Sequence, residues 1–193
     1  MNPIDHLLKL DHIIWVKLNN EWHFRVLDEI MPVLRNQYTW APVYAFLLFF
    51  SIWKLGKKGL YWSLAYFLSF ALCDYISAGI IKEAVMRLRP CNDPINSLHM
   101  RLLVECGSGY SFPSSHATNH FGMSFFLYFT FGSFYKWIKP IVILWAVLVA
   151  YAQVYVGVHY PLDVCTGAIL GSLIGYFMAK TFNKFISLKS YTN

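Results

Sequence analysis

Long apolar stretches, separated by short polar segments, run along most of the chain after residue 37. Five of them are candidate membrane-spanning helices, at residues 38–53, 60–81, 117–135, 138–158 and 164–182. A helix needs about 20 mainly apolar residues to cross roughly 30 Å of hydrocarbon. Trp and Tyr are abundant near the ends of these stretches, as in the aromatic belts of membrane interfaces. The pattern predicts an all-α fold, a multi-pass transmembrane helical bundle of about five spans.

The first 37 residues have an amphipathic pattern instead. Their apolar positions recur at helical spacing: Ile4, Leu7, Leu8, Ile14 and Leu18. Charged residues fill the rest of each turn, which favours helices that lie in the membrane interface over helices that cross it. We expect Asn19-Asn20 to break the first helix and Pro32 to interrupt the second.

The composition predicts one membrane-embedded domain. Of the 193 residues, 57% are hydrophobic and 13% are charged, and no linker or low-complexity tract divides them. We assign residues 1–37 to interfacial helices, 38–182 to a transmembrane core and 183–193 to a cytoplasmic tail. The N-terminal residues lack a basic start, an apolar run and a small-residue cleavage site in sequence, so we expect no removable signal peptide.

The lysines predict the orientation of the bundle. Two loops and the tail contain lysine and no acidic residue: Lys54, Lys57, Lys58, Lys136, Lys139, Lys180, Lys184 and Lys189. Short lysine-bearing segments favour the cytoplasmic side of a membrane. The net charge of +6 therefore reflects topology and contact with anionic lipids, and nucleic acid is not an expected partner.

Three short clusters outside the apolar stretches contain the candidate chemistry. They are Lys82-x6-Arg89-Pro90, Pro113-Ser114-Ser115-His116 and His159-Tyr160-Pro161-Leu162-Asp163. An even number of crossings separates them, so all three reach the same membrane face, opposite the lysine-rich loops. This parity predicts a single site on the extracytoplasmic side of a cell membrane, taken to be a bacterial inner membrane.

The first cluster is suited to binding phosphate. Lys82 and Arg89 are seven residues apart, about two helical turns, so one helix face is expected to present both. Pro90 should stop that helix and leave the Arg89 guanidinium free at the rim. A guanidinium binds two phosphate oxygens and a lysine adds a point charge. Two interfacial cations that extend toward water are the alternative.

The second cluster should open the third span. Ser114 or Ser115 can cap the helix, whose free N–H groups and dipole offer an anion site. His116 is placed to give a proton to a leaving alkoxide. His120 follows one turn later, but no clear third ligand accompanies this pair, so we predict no metal there and assign His120 to lining the pocket.

The third cluster pairs an imidazole with a carboxylate. Asp163 would fix the tautomer of His159 and stabilise the cation that forms when the other ring nitrogen attacks phosphorus. Pro161 and Asp163 both suit the first turn of the helix that follows, so a purely structural cap is the alternative.

Together the clusters resemble the type 2 phosphatidic acid phosphatases, which share their core with vanadium haloperoxidases. The family pattern is Lys-x6-Arg-Pro, then Pro-Ser-Gly-His, then Ser-Arg-x5-His-x3-Asp, and the match covers roughly residues 71–175. The resemblance implies that His159 is the nucleophile of a phosphohistidine intermediate, with Asp163 orienting it and His116 as the general acid. It also implies that Lys82, Arg89 and the Ser114–Ser115 backbone bind phosphate, without a metal or other cofactor.

Two positions depart from the family pattern. Ser115 replaces a glycine, and Ala152-Gln153 stands where Ser-Arg is expected. Gln153 can still donate a hydrogen bond to phosphate, but it lacks the charge and the bidentate fork of arginine. Either Arg87, Arg101 or another group compensates, or turnover is weak.

Other residues suggest supporting roles. Cys91 and Cys106 fall in the outer loop, where a disulfide and two free thiols are both open. Asp74, inside the second span, needs a buried partner and is assigned, with Arg87 and His120, to the surroundings of the site. Gly167, Gly171 and Gly175 line one helix face, which favours close packing inside the bundle and leaves a homodimer seam as the alternative.

We therefore hypothesise a metal-independent phosphatase acting on a lipid phosphate or diphosphate. A non-catalytic lipid-phosphate binding or transport protein is the alternative, for which Gln153 is the main support. Haloperoxidase chemistry ranks third, because it needs vanadate and gains nothing from a membrane. The sequence does not distinguish undecaprenyl or other isoprenyl diphosphates, phosphatidylglycerol phosphate, phosphatidic acid and lipid A as substrates.

Overall fold

Helices make up most of the chain in the computed structural model, which describes residues 2–186 and Leu188. The α-helices are α1 (Pro3–Val16), α2 (Arg25–Arg35), α3 (Ala41–Leu55), α4 (Lys57–Asp74), α5 (Lys82–Val85), α6 (Ser115–Phe129), α7 (Ile138–Tyr155) and α8 (Pro161–Phe185). No strand occurs among the described residues, so the all-α prediction is confirmed. Of the predicted 183–193 tail, residues 183–185 belong to α8, whereas residues 187 and 189–193 lie outside the described part.

Each predicted apolar stretch corresponds to a helix: α3, α4, α6, α7 and α8 in chain order. Among the described residues, the segments that begin at Lys57, Ile138 and Pro161 are long and apolar enough to cross a membrane by length and composition. Helices α3 and α6 have only 15 residues each. The membrane bundle is confirmed, and the count of about five spans fits only roughly.

Helix α6 is the centre of the bundle and packs most extensively against α8, with α7 and α4 on its other sides. The glycine stripe of α8 makes the closest approach possible, because a Cβ at Gly171 or Gly175 would overlap the backbone carbonyl of Thr118 or Gly122. The α8 stripe is therefore covered by α6 of the same chain, as packing inside the bundle requires, and it is not available as a homodimer seam. A homodimer through another surface stays a prediction.

The two N-terminal helices pack on the end of the bundle where the three clusters lie. Helix α1 contacts α8 and buries Asp11 and Trp15, while Ile4 and Leu7 stay exposed. Helix α2 contacts α7, with Met31 buried against Tyr155. An exposed apolar face on α1 is what a helix lying in the membrane interface requires.

The expected breaks in these helices are wrong in detail. At Asn19 the chain continues in a π-helical turn, Lys17–Glu21, because the buried Asn19 amide donates to the carbonyls of Arg101 and Tyr155, both at 2.8 Å. Pro32 lies inside α2, which continues to Arg35. Packing of Met31 on α7 offsets the hydrogen bond that a proline removes.

The outer loop, residues 86–114, is closed by a disulfide between Cys91 and Cys106, whose Cα atoms are 5.9 Å apart. Of the two alternatives left open by the sequence, the structure has the disulfide. In the chain-entropy model a loop of this size adds about 3 kcal/mol to stability. The Gly109 carbonyl, which contacts Arg89, lies three residues after the bridged Cys106.

Candidate active site

His159 lies in the short turn between α7 and α8 and is 1% exposed. The Val158 and His159 N–H groups both donate to the Gln153 carbonyl at 3.2 Å, which fixes the turn to the end of α7. Gly157 makes the turn possible, because its φ is 90° and a Cβ there would overlap the Arg101 carbonyl. The ring is thereby held rigidly at the rim of the bundle.

Ser111 stands between His159 and Asp163 and determines the tautomer of the imidazole. Its hydroxyl donates to Asp163 Oδ2 at 2.5 Å and lies 3.2 Å from His159 Nδ1. The hydroxyl has one proton, which it donates in the hydrogen bond to the carboxylate. Ser111 Oγ must therefore accept the hydrogen bond from His159, so Nδ1 is the protonated ring nitrogen. This assignment leaves Nε2 unprotonated, with a lone pair that accepts from Arg89 Nη1 at 3.2 Å until a phosphate takes over the guanidinium.

Asp163 therefore orients His159 mainly through Ser111, since its own oxygen is 3.6 Å from Nδ1. The carboxylate is 0% exposed and also accepts from the Tyr160 N–H at 2.9 Å, as a cap of α8. The predicted orienting role and the structural cap are thus combined in one side chain.

We expect Ser111→Ala to lower kcat by about 10- to 100-fold with little change in KM, because the Nδ1 proton loses its acceptor. The measurement is the rate of phosphate release from a lipid phosphate by the purified protein. Ser97→Ala, an exposed serine in the same loop, is the control. Equal rates for Ser111→Ala and the control would contradict the bridging role.

Arg89 approaches the other ring nitrogen, with Nη1 3.2 Å from His159 Nε2. The guanidinium also donates to the Val158 and Gly109 carbonyls at 3.3 and 3.2 Å. The expectation of a free guanidinium at the rim is wrong, because Arg89 is only 9% exposed and these carbonyls hold it inward. Its charge is aimed at the atom that would attack phosphorus.

Lys82 is also buried, at 8% exposure, and lies within electrostatic range of Arg89, Asp163 and Asp74. The expectation that one helix face presents Lys82 and Arg89 is wrong. Helix α5 ends at Val85 and Met86 adopts a left-handed conformation with φ 53°, so Arg89 lies on extended chain. The two cations are close to each other although they do not share a helix face.

The start of α6 supplies the third part of the site. Ser114 is the N-cap, accepting from the Ala117 N–H at 3.4 Å, and its own N–H donates to the Asp163 carbonyl at 2.9 Å. Ser114 thus joins α6 to α8, and its N–H is not free to bind phosphate as expected. The N–H groups of Ser115 and His116 have no acceptor within the helix and remain suited to an anion.

Gln153 is 0% exposed and its side chain is only partly satisfied. Its Oε1 accepts from Arg35 Nε at 3.3 Å, whereas its buried Nε2 has no partner. The two arginines proposed to compensate for Gln153 do not, because Arg87 is paired with Asp163 and Arg101 with Asp28. The arginine at Gln153 is instead Arg35, at the end of α2.

Arg87 joins the N-terminal helix to the candidate site. Its two terminal nitrogens each lie 2.6 Å from a carboxylate, Asp163 Oδ1 on one side and Asp11 Oδ2 on the other. Asp11 also accepts from the Leu162 N–H at 2.7 Å. Arg87 therefore holds the Asp163 carboxylate in place, and its role in the surroundings of the site stays a prediction.

A cavity of about 360 Å³ lies between α3, α4 and α6, beside His116. Its lining is both polar and apolar: Gln37, Tyr44, Phe70, Asp74, Ser115, His116, Asn119, His120 and Met123. Asp74 accepts from Asn119 at 3.0 Å, and His120 Nδ1 is 2.9 Å from the His116 carbonyl, with its ring edge-to-face against Trp145. Asp74 and His120 thus line this cavity and lie outside the His159 cluster.

Burial lowers the pKa of His159 to about 4, while Asp163 acts in the opposite direction. The imidazole is accordingly neutral at pH 7. A neutral ring with Nδ1 protonated has the lone pair on Nε2 that nucleophilic attack needs.

Sequence reasoning missed three residues of this site: Ser111, Asp11 and Arg35. Ser111 lies two residues before Pro113, so a polar residue next to a recognised motif was the available signal. Asp11 and Arg35 come from the N-terminal helices and pair with residues more than 75 positions away. No local pattern indicates such contacts.

Comparison with known proteins shows the family to which the chain belongs. The PAP2 superfamily matches residues 62–187. A lipid A 4'-phosphatase of Bacteroides thetaiotaomicron is 33% identical over 169 residues, covering 83% of this chain and 73% of that protein. An undecaprenyl-diphosphatase of Sulfolobus acidocaldarius is 34% identical over 163 residues, covering 83% of this chain and 73% of that protein.

Solved structures have the same fold. The crystal structure of Aquifex aeolicus LpxE has a TM-score of 0.64 at 27% identity, covering 89% of this chain and 95% of the other. A PAP2-type phosphatidylglycerolphosphate phosphatase from Bacillus subtilis has a TM-score of 0.66 at 24% identity, covering 96% of this chain and 89% of the other. This chain therefore belongs to the PAP2 superfamily and is a membrane lipid phosphatase.

Proposed function

We propose that this lipid phosphatase works through a phosphohistidine formed on His159, at the outer face of the membrane. One observation supports it most: Lys82 and Arg89 gather beside His159, and no ion pair in the described part of the chain includes either cation. Buried like charges are unfavourable unless an anion joins them. The unpartnered Gln153 Nε2 and Ser115 Oγ are further donors for that anion.

In the first step Nε2 of His159 attacks phosphorus and the ester P–O bond breaks. The departing alkoxide takes a proton from His116, which is in its protonated form when the substrate's phosphate anion lies beside it. Ser111 and Asp163 stabilise the imidazolium formed at His159. In the second step water attacks phosphorus, its proton returns to His116, and the P–N bond breaks to release inorganic phosphate. Lys82 and Arg89 bind the phosphoryl oxygens throughout.

The outer location rests on charge. Lys57 and Lys58 begin α4, and Lys136 and Lys139 flank the start of α7, at the end of the bundle opposite His159 by the direction of α7. Short lysine-bearing connections favour the cytoplasmic side. The disulfide between Cys91 and Cys106 in the loop over the site fits an oxidising exterior.

The cavity beside His116 favours a phosphate monoester on a sugar as the substrate, as in lipid A. It lies where a leaving group protonated by His116 would lie, and it offers the hydrogen-bonding groups of Gln37, Asp74 and Asn119. Its lining contains no Lys or Arg, and the Asp74 carboxylate would repel a second phosphate. Hydroxyl and amide groups of a sugar suit this lining better than the inner phosphate of an isoprenyl diphosphate.

The test is phosphate release by the purified protein in detergent, with lipid A, phosphatidic acid and undecaprenyl diphosphate as substrates. We expect lipid A to be hydrolysed at least about tenfold faster than undecaprenyl diphosphate, since like-charge contacts cost a few kcal/mol. The Asp74→Asn variant loses the negative charge but still offers an oxygen to accept the hydrogen bond from Asn119. We expect the ratio of the lipid A rate to the undecaprenyl diphosphate rate to be smaller in this variant. Faster hydrolysis of the diphosphate would contradict the substrate assignment.

The same experiment addresses the non-catalytic alternative. A protein that binds these lipids and releases phosphate from none of them would be a binding or transport protein. The main support for that alternative was the charge missing at Gln153. Arg35, which donates to Gln153, supplies a positive charge there and so weakens the alternative.

A further inference from the structure

We propose that Arg35 of the N-terminal helix α2 is a phosphate ligand of the active site and supplies the charge that position 153 lacks. This inference rests on the proposed phosphatase function and adds a residue to it. Arg35 lies outside residues 62–187, the part of the chain that matches the PAP2 superfamily.

The first observation is the contact between Arg35 and Gln153. Arg35 Nε is 3.3 Å from Gln153 Oε1, a hydrogen bond that uses one of the five N–H groups of the guanidinium. The same Gln153 has a buried Nε2 with no partner, and its carbonyl holds the His159 turn. The Arg35 and Gln153 donors therefore meet at the residue whose backbone carbonyl anchors the His159 turn.

The second observation is electrostatic. Arg35 lies close enough to Arg89 and His116 for its charge to act on both. Burial and then Arg89 lower the pKa of Arg35, so its neighbourhood is already rich in positive charge. No ion pair in residues 2–186 includes Arg35, which leaves its charge for an anion that the protein itself does not provide.

The third observation is that α2 is anchored where Arg35 needs to be. Met31 is buried against the end of α7, and the Tyr155 hydroxyl donates to Asp28 at 2.6 Å. Trp40 Nε1 donates to the Leu34 carbonyl at 2.8 Å, which fixes the last turn of α2. A half-buried, oriented arginine in this position is pre-organised to bind phosphate oxygens bidentately.

The test compares Arg35→Gln with the double variant Arg35→Gln/Gln153→Arg, which moves the charge across the contact. Arg25→Gln is the matched control, because Arg25 lies on the same helix with its side chain 94% exposed. We expect Arg35→Gln to lower kcat/KM for lipid phosphate by about 10- to 100-fold, the range of a lost charged hydrogen bond. The double variant should regain most of that loss, and Arg25→Gln should match the wild type.

Inhibition by orthovanadate separates an anion ligand from a structural residue. Weaker inhibition of Arg35→Gln by vanadate, with an unchanged denaturation midpoint, supports the proposal. If Arg35→Gln folds poorly, recovery of kcat/KM in the double variant supports it instead. Wild-type inhibition of Arg35→Gln, or a double variant no better than the single one, would overturn it. If the wild type releases no phosphate, the proposed function fails. Arg35 would still be supported as an anion ligand if vanadate raises the denaturation midpoint of the wild type and not that of Arg35→Gln.

Discussion

We expect the His159→Ala variant to release phosphate at least about 10⁴-fold more slowly than the wild type while it stays folded, because a nucleophile cannot be replaced by its neighbours. The neutral ring, held by Ser111 on Nδ1, presents its Nε2 lone pair beside Arg89. Among the described residues, its Nε2 is the imidazole nitrogen that Arg89 contacts. The measurement is the rate of phosphate release from lipid A in detergent.

His99→Ala is the control for this variant, since His99 is an exposed histidine in the outer loop. Its rate should equal that of the wild type. A His159→Ala protein that denatures at the wild-type temperature and keeps a tenth or more of the activity would remove His159 from the mechanism.

The second large effect concerns stability. We expect Arg87→Ala to lower the free energy of unfolding by about 3–5 kcal/mol, because it leaves two buried carboxylates without their partner. Asp163 is 0% exposed and Asp11 is 4% exposed, and each lies 2.6 Å from an Arg87 nitrogen. Activity should fall with stability, since Asp163 would no longer be held against Ser111.

The measurement is the thermal denaturation midpoint of the purified protein in detergent, with phosphate release from the part that stays folded. Arg25→Ala is the control, because its ion pair with Glu29 is exposed and such pairs contribute about 0–1 kcal/mol. The denaturation midpoint of Asp11→Asn should lie between those of Arg87→Ala and Arg25→Ala, because this variant removes one carboxylate charge and keeps a hydrogen-bond acceptor. If Arg87→Ala and Arg25→Ala denature at the same temperature, the positioning role of Arg87 is wrong.

Much of the fold could be predicted from the sequence because a helix that crosses a bilayer needs a long stretch of apolar residues. Every apolar stretch became a helix, although α3 and α6 are shorter than a full span. The glycine spacing of α8 likewise identified the face that packs against α6. These signals are local, and local patterns are what a single sequence displays.

The site was predictable only where its residues sit in recognisable clusters. His159, Asp163, Lys82 and Arg89 do meet, but the path of the chain between Lys82 and Arg89 was mispredicted. Met86 ends α5 in a left-handed conformation, and methionine is not a residue type that predicts this conformation. Gln153 could be identified as a departure, whereas its partner Arg35 is set by how α2 packs on α7, a long-range contact without a sequence pattern.

The N-terminal helices therefore contact the candidate site as well as exposing apolar side chains. Asp11 reaches the site through Arg87, Asn19 fixes the outer loop at Arg101, and Arg35 contacts Gln153. We infer that removal of residues 1–37 would damage catalysis even if the remaining bundle inserted into the membrane.

The central claim is that phosphate passes through the Nε2 nitrogen of His159. The direct measurement is rapid quenching of the purified protein during turnover of lipid A, followed by mapping of the phosphorylated residue by mass spectrometry under alkaline conditions. We predict an acid-labile phosphate on His159, absent from His159→Ala. Turnover that leaves His159 unmodified, or a phosphate on any other residue, would contradict it.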